Sequence, residues 1–359
     1  MRVLLTGAAG FIAGAVGSVL SARGHDVVSV DAMIPQAHPA DMDAPPEVRR
    51  VDVRDARALT DVMRGVDVVC HQAAMVGAGV TPADLPLYAG HNDLGTAVLL
   101  ASMAEHGVSR LVLASSMVVY GDGRYACAEH GAQPATPRRL ADLEAGRFDV
   151  ACPVCGAAMG CELVDESAAL LPRSSYAASK VAQEHYAAAW SRQLPGAVVA
   201  LRYHNVYGPG MPRDTPYSGV AALFRSALEA GSAPRVFEDG GQMRDFVHVT
   251  DVATANALAV DQVAAAPRDS FTAYNVCSGQ PVSILEVAVR VAEGREQADG
   301  AGRGGGLEPV TTGEFRSGDV RHVVADPERA RAELGFVAET SPDEGLRAFA
   351  LAPLRATSR

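Results

Sequence analysis

Positive charge is in short supply: 31 lysines and arginines stand against 42 aspartates and glutamates, a formal net charge of −11 over 359 residues. A protein that gripped nucleic acid or an anionic bilayer by neutralising phosphates over a broad basic face would need the opposite balance. Neither is expected as a partner. Long apolar runs are missing too. No stretch approaches the ~18 consecutive apolar residues that suggest a membrane-spanning helix, and the run from Met1 to Gly7 is too short for a secretory signal, so the expected location is the cytoplasm. Cysteine is sparse, and four of the six lie between positions 127 and 161. Such clustering marks a local device, not the spread framework of a disulfide-stapled secreted domain. The glycines and prolines follow no collagen-like period, and no internal repeat is present.

What is present is a chain long enough for about two domains, 48% hydrophobic, with its apolar residues in short β-branched runs. Strands are predicted at Val3 to Thr6, Val27 to Asp31, Val48 to Asp52, Val66 to Ala73, Arg110 to Ser116 and Val198 to Arg202. Amphipathic stretches at Phe11 to Arg23, Ala56 to Arg64, Asn92 to His106 and Tyr176 to Ser191 separate them. Continuous apolar strands alternating with helices imply an α/β fold, a doubly wound parallel sheet of the Rossmann type covered on both faces. Residues 1–203 are assigned to this nucleotide-binding domain. Residues 204–359 are read as mainly a smaller α/β substrate domain, with about 244–277 returning to the first. Helices are expected there near Val220 to Ala230, Ile284 to Glu293 and Asp343 to Ala350, and a surface loop from Gly294 to Gly306. Between Ser116 and Tyr176 the spacing far exceeds an ordinary connection of ~4–6 residues, so a segment at about 121–165 is inserted.

Thr6-Gly7-Ala8-Ala9-Gly10-Phe11-Ile12-Ala13-Gly14 falls where the first strand gives way to the first helix. There a tight turn lets a pyrophosphate approach the helix N-terminus, whose free N–H groups and dipole favour an anion. Asp31, closing the second strand 24 residues after Gly7, can accept both ribose hydroxyls and repel a 2′-phosphate, which selects NAD over NADP. Asp52-Val53 and Ala73-Ala74 end the next two strands, where adenine and ribose would lie.

Tyr176 and Lys180 sit at i and i+4, on one face of a helix. A phenol with a pKa of about 10 is a poor base at neutral pH, and an ammonium beside it favours the phenolate. The fifth strand ends in Ser115-Ser116, bringing a hydroxyl to the same edge of the sheet.

Taken with Asn92-Asp93-Leu94-Gly95-Thr96, Val119-Tyr120-Gly121, Leu201 through Pro209 and Arg244-Asp245-Phe246-Val247-His248-Val249, these motifs resemble the extended short-chain dehydrogenases/reductases that act on nucleotide-diphosphate sugars. The resemblance spans nearly the whole chain. It implies catalytic roles for Tyr176, Lys180 and Ser116, and NAD contacts from Gly7, Gly10, Phe11, Ile12, Asp31, Asp52, Val53, Ala73, Ala74, Asn92, Ser115, Tyr176 and Lys180. It also implies substrate contacts from Ser116, Asn205, Arg244 and Arg316, together with Asp319 and Arg321. The helices from Asn92 and from Tyr176 resemble a pair that forms a homodimer seam. Arginine suits the diphosphate because its planar fork matches phosphate oxygens.

The reaction is narrowed by two residues. Members that dehydrate or decarboxylate carry acids just after the strand-end serine or threonine, and here those positions are Met117 and Val118, which cannot move a proton. A 4-epimerase passing through a 4-keto sugar remains, with a 4-ketoreductase or dehydrogenase as alternative and a 4,6-dehydratase behind it. Outside enzymes, an NAD-binding scaffold or redox sensor would fit the cofactor loop alone. In the insertion, Cys127-Ala128-Glu129-His130 and, after 21 residues, Cys152-Pro153-Val154-Cys155 have the spacing of a structural zinc knuckle, Cys161 being an alternative to His130. This insertion, with Pro35 to His38, Pro216 to Val220 and Phe237 to Gly240, resembles the bacterial dTDP-L-rhamnose 4-epimerase branch, which adds Val220 and Phe237 to the substrate contacts.

Overall fold

Seven parallel strands organise the molecule, whose structure, a computed structural model, describes residues 1–38, 42–77, 81–213, 219–299 and 307–355. They are β1 (Arg2–Thr6), β2 (Asp26–Asp31), β3 (Val48–Arg50), β4 (Val68–His71), β5 (Arg110–Ser116), β6 (Ala197–Tyr203) and β7 (Ser270–Val276). Their order in the sheet, β3-β2-β1-β4-β5-β6-β7, reverses direction of growth between β1 and β4. A crevice opens at the carboxyl edge of such a switch point.

The helices covering the sheet are α1 (Phe11–Ala22), α2 (Ala56–Val62), α3 (Gly95–Glu105), α4 (Ser175–Gln193) and α6 (Val249–Ala265), while α5 (Val220–Glu229) lies away from it. One apolar layer joins Val16 and Leu20 of α1 to Val252 and Val260 of α6 against Val3, Leu5 and Val112. The other joins Leu59 of α2, Leu99 and Met103 of α3 and Ala187 and Trp190 of α4 against Leu4, Val69 and Leu111. Alternate residues of the strands thus feed opposite faces, which is why these segments read as unbroken apolar runs. The second core gathers Phe224 and Leu228 of α5 with Val287 and Val291 of α7 (Ile284–Asp299) and Leu346 and Phe349 of α8 (Pro342–Phe349).

The surface loop expected from Gly294 does not begin there. Helix α7 continues through Gly294 to Asp299, because α8 crosses it there and any Cβ on Gly294 would collide with the Arg347 backbone. Residues 300–306 lie outside the described residues, as do Pro216, Tyr217 and Ser218. The insertion folds as a three-stranded antiparallel sheet, Gly131–Gln133, Arg124–Cys127 and Gly160–Glu162 in that order.

Three interior imidazoles make the fold acid-sensitive. His71 lies buried between Thr6 Oγ1 (2.8 Å) and Thr96 Oγ1 (3.2 Å), tying the end of β1 to the end of β4. Burial pushes its pKa down to about 3, that of His204 to about 3 and that of His322 to about 4. The unfolded chain takes up a proton at each near pH 6.5, so it binds more protons than the native state below that pH. Stability therefore falls as pH drops from about 6.5 towards 4, by about 1.4 kcal/mol per imidazole per pH unit. Calorimetry should find a clearly lower Tm at pH 5 than at pH 7; equal values would contradict the neutral interior imidazoles.

Candidate active site

A cleft of about 520 Å³ runs along the carboxyl edge of the sheet, with the glycine loop at one side and the strand ends beneath. Gly7, Gly10, Phe11, Ile12, Asp31, Asp52, Val53, Ala73, Ala74, Ser115, Ser116, Tyr176, Lys180, Asn205 and Arg316 all line it, so one surface gathers residues spread over more than 300 positions.

The loop is built for close approach. Gly7 holds φ +70°, and a Cβ there would fall 2.8 Å from the backbone of Ala73. Both facts demand glycine. Asp31 accepts from the backbone N–H groups of Ala9 (3.1 Å) and Met33 (2.8 Å) and faces His38 Nε2 at 3.3 Å. Burial works against its ionisation, but the His38 contact and the two N–H bonds outweigh it and hold the carboxyl below its usual range. An ionised carboxylate at the end of β2 fits a ribose diol, and the empty-walled turn at Gly7 fits a pyrophosphate. The residues present therefore suit NAD.

Tyr176 sits in the first turn of α4, capped by Ser174, whose hydroxyl accepts from Ala177 N–H at 3.1 Å. Its phenol lies beside Ser116, whose hydroxyl favours the phenolate, and its ring packs on Tyr88 with centroids 5.8 Å apart. One turn on, the buried Lys180 donates to the Ala114 carbonyl at 3.0 Å, with its nitrogen 6.0 Å from the Tyr176 ring centre. The sequence leads one to expect a phenol lowered by this ammonium. In the protein alone the balance is different: burial, eased only in part by Ser116, lifts Tyr176 to about 12, while burial draws Lys180 down to about 8. Desolvation outweighs the cation at this separation.

Other expected residues sit around the cleft or behind it. Asn92 is fully buried behind the wall, where its amide bonds both the N–H and the carbonyl of Met75 (2.7 and 2.9 Å) and the Ser179 hydroxyl (2.8 Å). Ser115 turns its hydroxyl to Glu184 at 2.5 Å, in a network that continues to Arg202 (2.8 Å). On the substrate side, Asn205 keeps a buried side-chain oxygen without a partner among the described residues. The Arg316 guanidinium stands 5.2 Å over the Phe237 ring. Arg244 points inward to the carbonyls of Met243, Arg321 and Val320 at 2.6–2.9 Å. Arg321 is taken up by Asp149, Glu238 and Asp239. Asp319 is exposed, and Val220 opens α5 between two cleft residues, Gly219 and Ala221. Sequence reasoning assigned no role to Gln72, Tyr203 or Arg355, which also line the cleft. Their positions depend on tertiary contacts that no local spacing encodes.

In the insertion, Cys127, His130, Cys152 and Cys155 place one donor atom each within 4.8 Å of one another. Cys161 is not among them. Separations are 3.6 Å (Cys127 Sγ to His130 Nδ1), 3.7 Å (Cys127 Sγ to Cys155 Sγ) and 3.8 Å (Cys152 Sγ to His130 Nδ1). Among the described residues no helix is long and apolar enough to cross a membrane.

Comparison with known proteins agrees with this geometry. The model of the NAD dependent epimerase/dehydratase family matches residues 3–139 and 153–277. A dTDP-L-rhamnose 4-epimerase of Burkholderia thailandensis is 33% identical, covering 96% of this chain and 93% of its own length. A UDP-glucose 4-epimerase of Mycolicibacterium smegmatis is 30% identical, covering 96% of each. Among solved structures, a Thermus thermophilus UDP-glucose 4-epimerase in complex with NAD superposes with a TM-score of 0.73 at 30% identity, over 98% of both chains. The chain is a member of the NAD dependent epimerase/dehydratase family, of the extended short-chain dehydrogenase/reductase type.

Proposed function

We propose that the protein is an NAD-dependent 4-epimerase of nucleotide-diphosphate hexoses or deoxyhexoses, with a dTDP- or UDP-sugar as substrate. The observation that carries this is the phenol of Tyr176, beside Ser116 and one turn from Lys180, opening on the same cleft as the glycine loop and Asp31. NAD, when bound, supplies the hydride acceptor and a cationic ring beside the phenol. Tyr176 takes the proton of the C4 hydroxyl and later returns it. Ser116 holds the same oxygen, and Lys180, fixed by its bond to the Ala114 carbonyl, steadies the phenolate. Asn205 and Arg316 are the substrate ligands, the arginine for the diphosphate. Met117 lines the cleft where an eliminating enzyme needs an acid, which favours epimerisation over dehydration.

The same reading carries a homodimer built on the outer faces around α3 and α4, where Leu94 and Tyr186 are exposed. It also carries a structural zinc ion in the insertion. Tetrahedral zinc with Zn–S bonds of about 2.3 Å needs ligand atoms ~3.5–3.8 Å apart. Three separations among Cys127, His130, Cys152 and Cys155 fall at 3.6–3.8 Å, and all four donor atoms lie within 4.8 Å of one another, which supports this donor set. Four protein ligands leave no open position for chemistry, so the ion would act on the fold alone.

The test is to incubate purified protein with candidate dTDP- and UDP-hexoses and no added cofactor, following C4 stereochemistry by NMR. Equilibration of the two C4 epimers without release of NADH is expected. Stoichiometric NADH with a ketone product would replace the epimerase by a dehydrogenase.

A further inference from the structure

We propose that Arg355 is a ligand of the dinucleotide's pyrophosphate, brought to the glycine loop from across the cleft by the segment around 353–355. The inference rests on the NAD reading of the cleft and names a residue of that site outside its sequence motifs.

The side chain is delivered by a fixed backbone. Arg355 N–H donates to the Met211 carbonyl at 3.0 Å, the Arg355 carbonyl accepts from Arg213 N–H at 3.0 Å, and Gly210 N–H donates to Pro353 at 2.8 Å. From this clamp the guanidinium reaches the cofactor loop, where Nη1 donates to the carbonyl of Ala9 at 2.7 Å, between Gly7 and Gly10. It lines the cleft with Gly7, Gly10, Phe11 and Ile12.

Two other arginines near the site are already neutralised by carboxylates. Arg202 is paired with Glu184, and Arg321 with Asp149, Glu238 and Asp239. Among the described residues no carboxylate lies within ion-pair distance of Arg355, its Nε is buried without an acceptor, and only Asp31 exerts a favourable field on it from further away. A guanidinium carries five donors and stays charged at any working pH. Leaving it half-buried with one carbonyl is costly unless an anion completes its partners. The adjoining N-terminus of α1 already favours an anion at that point. The loop and the arginine thus converge on one group from opposite walls, and a pyrophosphate has the charge and the paired oxygens to satisfy both.

The test titrates NAD, ADP and adenosine into cofactor-free full-length protein by calorimetry, for the wild type, R355Q and R355K. Loss of the charged fork should weaken NAD and ADP about ten- to a hundredfold in R355Q while adenosine binds as before. R355K should recover only part of the loss, because a point charge keeps the attraction without the paired geometry. Melting curves of R355Q that match the wild type would tie the loss to the ligand. Unchanged affinity for NAD and ADP in R355Q, or an equal loss for adenosine, would overturn the proposal while leaving the cofactor site intact. Wild-type protein that bound neither NAD nor ADP would instead overturn the reading of the cleft itself.

Discussion

Tyr176→Phe will lower kcat by about a thousandfold and leave the bound NAD content unchanged, since a positioned general acid–base contributes typically ~10²–10⁴. The substitution removes only the phenolic oxygen. The ring stays packed against Tyr88, and Lys180 keeps its bond to the Ala114 carbonyl, so the cleft wall survives. What goes is the phenolic oxygen beside Ser116, the group placed to exchange a proton with a sugar hydroxyl. Burial holds that phenol at about 12 in the protein alone, and among the described residues no carboxylate or imidazole contributes to its shift. Single-turnover measurement of sugar oxidation, alongside extraction of the bound nucleotide, separates the two effects. Turnover at the wild-type rate would remove Tyr176 from the mechanism, and loss of NAD with loss of activity would make the residue a cofactor ligand only.

The parts of this site visible in the sequence share a property: each is a local pattern whose meaning depends on one strand-to-helix junction. The glycine loop and Asp31 close consecutive strands, and Tyr176 and Lys180 are one helical turn apart, so the order of elements nearly places them. The doubly wound sheet was legible for the same reason, because strands buried on both faces are continuous apolar runs. Gly294 was misleading because glycine usually marks a loop, whereas here it admits a crossing helix whose backbone comes from position 347. The partners of the arginines are the least legible part. Arg244 and Arg321 look alike in a linear reading, yet Arg244 donates to backbone carbonyls and Arg321 to three carboxylates from as far away as Asp149. Which cation faces the cleft is decided by partners distant in sequence, and spacing carries no record of them.

The insertion poses the question of what holds it, and removing a metal answers it. Its own apolar cluster is Tyr125, Cys127, Val150, Cys152 and Met159, so two of the five buried members are themselves candidate ligands. That is too little to order a segment of this length against its chain entropy. Structural zinc contributes roughly 10–16 kcal/mol of apparent binding energy in small peptides, and here that energy would be folding energy. Cys155 discriminates best because it is exposed: replacing it by Ser costs no packing, so an effect on the fold must come through the metal. Purified wild-type protein is expected to carry one zinc per chain, and Cys155→Ser to lose it and become protease-sensitive within 128–160. The damage should reach the substrate side and spare the cofactor. Arg138 pairs with Glu238 at 2.8 Å, Arg321 with Asp149 at 3.0 Å, and Tyr125 Oη accepts from His322 N–H at 3.0 Å, so the insertion is stapled to Glu238, next to Phe237, and to the 321–322 segment that follows Arg316. KM for the sugar nucleotide should therefore rise about tenfold or more, as expected when ion pairs and hydrogen bonds worth ~1.5–3 kcal/mol each are lost, while affinity for NAD is unchanged. Metal-free wild-type protein whose insertion still resisted proteolysis would reduce the four side chains to packed thiols and an imidazole.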